Sequence, residues 1–190
     1  MYEEDRITIN VVRKVSPAVV SVVIAKMLPK IKGIAFGSPG EDSPIGGNPF
    51  NFLPHQDHAD IIPPEVLQNT EKEKVRVGGG SGFIVGSSGI ILTNRHVVFD
   101  TDAEYIVITN EEKEYPAKVL TRDPLNDMAI LKIDADNLPI VKLGDSSKIE
   151  PGQTVIAIGN ALGLFSNTVS KGIVSGLSRQ ISAAMGMGEE

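Results

Sequence analysis

The sequence predicts an all-β protein whose main unit is an antiparallel β-barrel or sandwich. Two observations support this: short segments rich in Val and Ile follow one another closely, and polar turns rather than long helices separate them. The predicted strands of the main unit are 82–86, 89–93, 105–109, 115–121, 128–133 and 139–143.

Composition narrows the class of protein. The chain has 190 residues, of which 41% are hydrophobic, enough for a real core. Its net charge of −6 argues against a nucleic-acid partner, because phosphate binding needs a basic surface. The absence of cysteine excludes disulfides and thiolate chemistry. The longest apolar run, at 17–25, is too short to span a bilayer, and the acidic first residues do not form a secretory signal. A cytoplasmic protein and one whose export segment has been removed both remain open.

The elements that flank the main unit are also visible in the sequence. Apolar residues at 7, 11, 12 and 15 predict a helix, which Ser16-Pro17 ends, and 18–25 is a Val-rich strand. Residues 71–76 form a charged approach to a turn predicted at 78–80, where three glycines stand together. After a boundary near Gly144, two further strands at 154–158 and 168–177 indicate the start of a second unit, because two strands alone are rarely stable.

Residues 29–64 differ in character from the rest of the chain. They contain most of its 12 prolines and show no periodicity, which predicts a long loop that is mobile or ordered only by a partner. Within this loop His55, Asp57, His58 and Asp60 offer metal-ligating atoms. No paired ligand cluster occurs elsewhere, so a solvated loop is the preferred interpretation, and we predict neither a metal nor a cofactor.

The strongest functional signal is a histidine that directly follows a predicted hairpin. Apolar runs at 83–85 and 90–92 flank a Gly/Ser turn, and Thr-Asn-Arg-His96-Val-Val comes next. This order places His96 at the edge of an apolar core, held by a rigid scaffold and open to a cleft, as a general base requires. Taken alone, a histidine beside Val-Val is more often structural than catalytic.

A second signal is a carboxylate placed immediately ahead of a strand. Asp127 precedes Met-Ala-Ile-Leu-Lys-Ile, a position close to the core from which its side chain can reach a neighbour. Asp123 precedes Pro124 and is more typical of a residue that caps a turn.

Three segments in order resemble the trypsin-like serine proteases of the HtrA/DegP family. They are the hairpin with its Thr-Asn-Arg-His96-Val segment, the stretch 123–133, and the stretch 144–179, and the whole resemblance covers 7–25 and 78–179. It implies a chymotrypsin-like fold, with a complete first barrel in 1–144 and a second barrel only begun in 145–190. It also implies a Ser-His-Asp triad, in which His96 is the base and Asp127 accepts the ring N–H, fixes the tautomer and stabilises the imidazolium.

The sequence departs from the family pattern at the nucleophile. The family's serine stands in Gly-Asn-Ser-Gly-Gly-Pro, and no Gly-x-Ser-Gly-Gly occurs in this sequence. The serines stand in other contexts, among them those at 81, 87, 88, 146, 147, 170, 175, 178 and 182. The missing segment would also supply the oxyanion hole, and the PDZ domains common in the family are missing too. We therefore expect the 190-residue chain alone to be inactive, and its unfinished second sheet to self-associate.

The resemblance implies an ATP-independent serine endopeptidase of protein quality control. Its partners would be unfolded or damaged polypeptides bound as extended strands, its assembly a trimer-based homo-oligomer, and its compartment the periplasm or cell envelope. The loop at 29–64 would be a regulatory loop or simply disordered. One alternative is a catalytically dead, protease-like barrel that binds proteins, although the presence of both His96 and Asp127 argues mildly against it. The other, less favoured, is a β-domain without protease ancestry.

Overall fold

The computed structural model describes residues 2–29, 72–161 and 165–177. Apart from Pro29, the loop predicted at 29–64 lies outside the described residues, as do its four candidate metal ligands. Within the described ranges, no helix is both long and apolar enough to cross a bilayer.

The chain begins with the helix α1, Glu3–Val15. The helix predicted at 7–15 is confirmed, but it starts earlier, at Glu3. Its first turn is acidic and its last turn is basic, a distribution that complements the helix dipole at both ends. None of its residues is buried, and its apolar side chains remain at least partly exposed. A 3₁₀ turn, Ser16–Ala18, then leads into the first strand with Pro17 near its start.

Six antiparallel strands form a closed barrel in the order β1-β2-β3-β6-β5-β4, and β4 pairs back onto β1. The strands are β1 Val19–Pro29, β2 Lys72–Gly86, β3 Ile90–Asn94, β4 Glu104–Ile108, β5 Glu114–Asp123 and β6 Met128–Ile133. The predicted all-β, antiparallel barrel fold is therefore confirmed.

The barrel interior follows from the alternation of side chains along the strands. In β3, β4 and β6 every second residue points inward, and Ile91, Val107, Leu131 and Ile133 are fully buried there. Each such side chain contributes about 1.5–3 kcal/mol when it leaves water. This core fixes the ends of β3 and β6, which carry the candidate site.

The turn predicted at the three consecutive glycines is wrong, because β2 runs straight through them. A Cβ at Gly79 would lie 2.6 Å from the carbonyl oxygen of Val22, and one at Gly80 would lie 2.6 Å from Cγ2 of Val97. Close approach of neighbouring backbone and side chains, rather than chain reversal, therefore requires glycine at these positions. The reversal comes at Gly89, whose φ of +93° suits glycine, in the turn between β2 and β3.

The strand predicted at 139–143 is also wrong. This segment has no strand assignment and touches the barrel through single backbone hydrogen bonds, such as Val141 N–H to the Ile84 carbonyl at 2.9 Å. Ile140 and Leu143 are 54% and 66% exposed, and Pro139 has no N–H to donate to a ladder. The N-terminal strand β1 is the sixth strand of the barrel instead.

A separate two-stranded antiparallel sheet follows, made of β7 Thr154–Ala161 and β8 Phe165–Ile173. It confirms the strands predicted at 154–158 and 168–177, although β8 ends before 177. The sheet lies against the barrel at Gly159, where a Cβ would come within 3.0 Å of the Ser81 hydroxyl oxygen. Val155 and Ile173 remain 42% and 63% exposed. The division of the chain at 144/145 stays a prediction.

Candidate active site

His96 lies in a short 3₁₀ turn, Arg95–Val98, that follows β3 directly. The two valines after it anchor this turn in the core, since Val97 is 8% and Val98 0% exposed. The histidine side chain itself is 47% exposed. The sequence Arg-His-Val-Val thus places an accessible imidazole on a backbone that its neighbours hold in place.

Asp127 is the last residue of the turn that joins β5 to β6. Its backbone φ of +51° lies in the left-handed region, which Asp and Asn tolerate better than most side chains. Asp123 holds the turn: its Oδ1 accepts hydrogen bonds from the N–H groups of Leu125 at 2.8 Å and Asn126 at 3.2 Å, and its Oδ2 accepts one from Asn126 Nδ2 at 2.7 Å. The prediction that Asp123 caps a turn is confirmed.

The structure brings His96 and Asp127 into direct contact. The distance from His96 Nδ1 to Asp127 Oδ2 is 2.6 Å, and the backbone N–H of His96 donates to Asp127 Oδ1 at 2.9 Å. The N–H of Arg95 also donates to the Asp127 carbonyl at 2.9 Å. The pairing of β3 with β6, in which Asn94 lies opposite Met128, creates this proximity across 31 residues of sequence.

Asn94 is a member of this site that the sequence analysis did not single out. Its side-chain Nδ2 lies 3.2 Å from the carbonyl oxygen of Asp127 and 3.3 Å from Oδ2 of the same residue. The carboxylate therefore has donors from His96 at both oxygens and one from Asn94 at Oδ2. The available signal was positional: Asn94 is the last residue of β3, directly opposite the start of β6.

The surroundings of Asp127 favour its ionised form. Partial burial is the largest single influence and disfavours the charge, but the hydrogen bonds from the His96 ring and backbone, together with the electrostatic attraction of His96 and Arg95, outweigh it. The pKa of Asp127 consequently lies below its ordinary value. An ionised Asp127 accepts a proton donor, so the His96 proton belongs on Nδ1, which leaves the lone pair of Nε2 free.

This arrangement suits proton transfer at Nε2 of His96. The imidazole can accept a proton there, while the carboxylate holds the ring orientation and stabilises the cation that forms. Within the part of the chain that the structure describes, no three metal-ligating side chains come close enough together to hold an ion.

Comparisons with known proteins identify the family of the chain. The model of the trypsin-like peptidase domain matches residues 80–189. A probable periplasmic serine endoprotease, DegP-like, of Marinomonas sp. (strain MWYL1) is 38% identical over 178 residues, which are 90% of this chain and 35% of that protein. A protein of the same description from Pseudomonas fluorescens is 47% identical over 102 residues, or 54% of this chain and 21% of that protein.

A solved structure, the HtrA-type protease AlgW with decapeptide, shares the fold with a TM-score of 0.64 and 31% identity. The match covers 94% of this chain and 47% of that one. The chain spans about a third of the length of the curated relatives that it matches over most of its own length. Fold, matched domain and relatives agree with the resemblance that the sequence motifs indicated: the chain belongs to the trypsin-like peptidase family, and its relatives there are of the HtrA/DegP type.

Proposed function

We propose that this chain carries the base, His96, and the orienting carboxylate, Asp127, of a serine endopeptidase. In the proposed reaction His96 Nε2 takes the proton from a serine hydroxyl as that oxygen attacks the peptide carbonyl, and the proton then passes to the leaving amine. A water molecule then attacks the acyl group left on the serine, while His96 again takes a proton and returns it to the serine oxygen, and the acyl group leaves as a carboxylic acid. Asp127 stays ionised throughout and stabilises the imidazolium.

The observation that carries this proposal is the double contact between the two residues. A carboxylate that accepts both the ring N–H and the backbone N–H of one histidine restrains the ring in position and rotation. The His96 side chain is 47% exposed and has an ionised partner at 2.6 Å. A histidine that served only to pack against its neighbours would need neither feature.

The attacking serine is not assigned to any residue of this sequence. None of its serines stands in Gly-x-Ser-Gly-Gly, the context in which the family resemblance places the nucleophile. Loss of the nucleophile from such a triad lowers turnover by a factor on the order of 10⁶, the value found for subtilisin. We therefore propose that the 190-residue chain by itself does not hydrolyse peptides.

The proposed substrates are unfolded or damaged polypeptides bound in extended form. The solved relative AlgW holds a decapeptide, and strand-like binding offers main-chain hydrogen bonds to any unfolded sequence. The DegP-like relatives are described as periplasmic, and we propose the same compartment for the protein, together with a trimer-based assembly. Fractionation of the source cells and light scattering of the purified protein test these two statements, and a cytoplasmic monomer would contradict both.

The second candidate function is a protein-binding module that keeps the protease fold without hydrolysis. The observation in its favour is the lack of a Gly-x-Ser-Gly-Gly segment in the sequence. On this alternative the contact between His96 and Asp127 would serve only to hold the turn after β3 against the turn before β6.

Labelling by a fluorophosphonate, which reacts with activated serines, separates the two functions. The chain is compared with a fusion in which residue 177 is followed by the stretch of the Marinomonas relative that comes after the part matching this chain, so that the fusion takes its base and carboxylate from His96 and Asp127. We expect no label on the chain, label on the fusion, and none on the fusion carrying His96→Ala. Label on the 190-residue chain would place a nucleophile among its own serines. An unlabelled fusion whose circular dichroism shows a folded barrel would favour the binding module.

A further inference from the structure

The backbone that leaves His96 is tied to three different strands of the barrel. Val98, the last residue of the 3₁₀ turn, is held through its carbonyl by Arg122 of β5. Two residues later, the carbonyl of Asp100 accepts a hydrogen bond of 2.6 Å from the Tyr105 hydroxyl of β4. The carboxylate of Asp100 also forms an ion pair with Lys26 of β1.

The contact made by Arg122 is the one nearest to the histidine. Its Nε donates to the Val98 carbonyl at 2.6 Å in a part-buried setting, where a charge-assisted hydrogen bond is strong. Burial raises the pKa of Tyr105, and the contact of its hydroxyl with the Arg122 guanidinium opposes that rise. The guanidinium thus contacts the His96 turn at Val98 and influences Tyr105 of β4.

Arg122 also occupies a special place along the chain. It lies opposite Ala129 in the pairing of β5 with β6, and it immediately precedes the Asp123-capped turn that ends at Asp127. The end of β5 thus supports Asp127 through the backbone and His96 through the Arg122 side chain. One rigid element fixes both partners of a contact that must keep its geometry within a few tenths of an ångström.

We propose that Arg122 is a positioning residue, which holds the His96 turn through the Val98 carbonyl so that the ring N–H meets Asp127. This inference deepens the proposed function and rests on it. Arg122 touches neither ring nor carboxylate; it acts by limiting the movement of the turn on which the ring is mounted.

The test reads the tautomer of His96 in the 190-residue chain, which needs no enzymatic activity. Long-range ¹H–¹⁵N correlation spectra at about pH 8, above the ordinary imidazole pKa of about 6.5, show which ring nitrogen carries the proton. The chain has 3 histidines, and a His96→Asn variant assigns the signals. The variant under test is Arg122→Met, which keeps an apolar stem but no donor. The matched control is Arg76→Met, which removes a half-exposed arginine of β2 that pairs with Glu114.

We expect His96 to carry its proton on Nδ1 in the unchanged chain and in Arg76→Met. In Arg122→Met the ratio of Nδ1–H to Nε2–H should fall about two- to tenfold, the range that the net loss of one hydrogen bond produces. A purely structural role would lower the urea midpoint and leave the tautomer of the folded protein unchanged. If Arg122→Met fails to fold, the same spectra are recorded for Arg122→Lys. We expect a smaller fall in the ratio of Nδ1–H to Nε2–H there, because lysine lacks the planar Nε donor but keeps the charge.

The outcomes separate this inference from the proposed function. An unchanged chain whose His96 carries its proton on Nε2 would contradict the contact with Asp127, and with it the proposed function. A chain with the Nδ1 proton whose folded Arg122 variants match Arg76→Met would overturn the role of Arg122 alone. A fall confined to the Arg122 variants supports both.

Discussion

Gly80 offers a stability test of the close packing beneath the His96 turn. A Cβ added by Gly80→Ala would lie 2.6 Å from Cγ2 and 3.0 Å from Cγ1 of Val97, where carbon atoms prefer about 3.5–4.0 Å. Val97 is only 8% exposed and cannot turn into solvent. Such overpacking costs about 1–3 kcal/mol.

Gly78→Ala is the matched control, because it makes the same change in the same strand. A Cβ there would meet only Cδ1 of Ile24, at an ordinary 3.6 Å. Where alanine fits the folded backbone, it stabilises the protein by about 0.4–1 kcal/mol, because it leaves the unfolded chain less conformational entropy than glycine does. This gain in the unfolded state is common to both variants, so their free energies of unfolding should differ by the overpacking cost of about 1–3 kcal/mol, or about 0.3–3 M in urea midpoint.

Urea unfolding followed by circular dichroism measures this difference, and a second substitution identifies its cause. Val97→Ala removes both Cγ atoms, so the double variant with Gly80→Ala should lose less stability than the sum of the single changes, by about 1 kcal/mol or more. Equal stability of the Gly80 and Gly78 variants would refute the packing argument. Strict additivity in the double variant would show that the loss arises elsewhere.

Three further outcomes are expected. Asp127→Asn should move the His96 proton from Nδ1 toward Nε2, because the ring loses its ionised acceptor; an unchanged ¹⁵N spectrum would contradict the contact at 2.6 Å. The pKa of Asp127 is lowered in the folded chain, so its stabilisation is present above the unfolded-state value of about 3.9 and is lost as the pH falls through the folded-state value. Urea unfolding of Asp127→Asn should accordingly depend less on pH in acid than that of the unchanged chain, and equal slopes would count against the assignment. Leu131→Ala should lower the free energy of unfolding by about 2–5 kcal/mol, whereas Leu120→Ala, at a side chain 56% exposed, should change it by about 0.5 kcal/mol or less; similar losses would contradict the core assignment.

Local patterns predicted the parts of the fold that local forces decide. The alternation of apolar residues in β4 and β6 was readable because each of these strands has one buried face. Residues 139–143 share that apolar character, yet β1 and not this segment pairs with β2 and β4 to close the barrel. Which segment does so depends on pairing between parts of the chain that are distant in sequence. The three glycines show the same limit, since glycine serves both turns and close approach, and the deciding neighbours, Val22 and Val97, are far away in sequence.

The candidate site divides in the same way. His96 and Asp127 could be selected because each stands beside a strand and within a segment that resembles a known family. The supporting roles of Asn94 and Arg122 depend on which strands become neighbours and on side-chain direction, which the spacing of residues in a sequence does not contain. Tertiary geometry, rather than local propensity, decides which polar residues reach the carboxylate and the turn.

Closure of the barrel by β1 affects the order in which the chain can fold. Strand β1 pairs with β4 as well as with β2, for example Ser21 with Ile108, so its second partner is made long after it during synthesis. Pairings this distant in sequence slow folding, because the entropy of loop closure must be overcome before any contact compensates for it. The region that brings His96 to Asp127 needs only the strands β3, β5 and β6, whose pairings join residues much closer in sequence than Ser21 and Ile108. A chain that folds from the complete unfolded state should therefore bring the two residues together while β2 and β4 still present open edges, and in that interval the barrel is most exposed to wrong pairing with another chain.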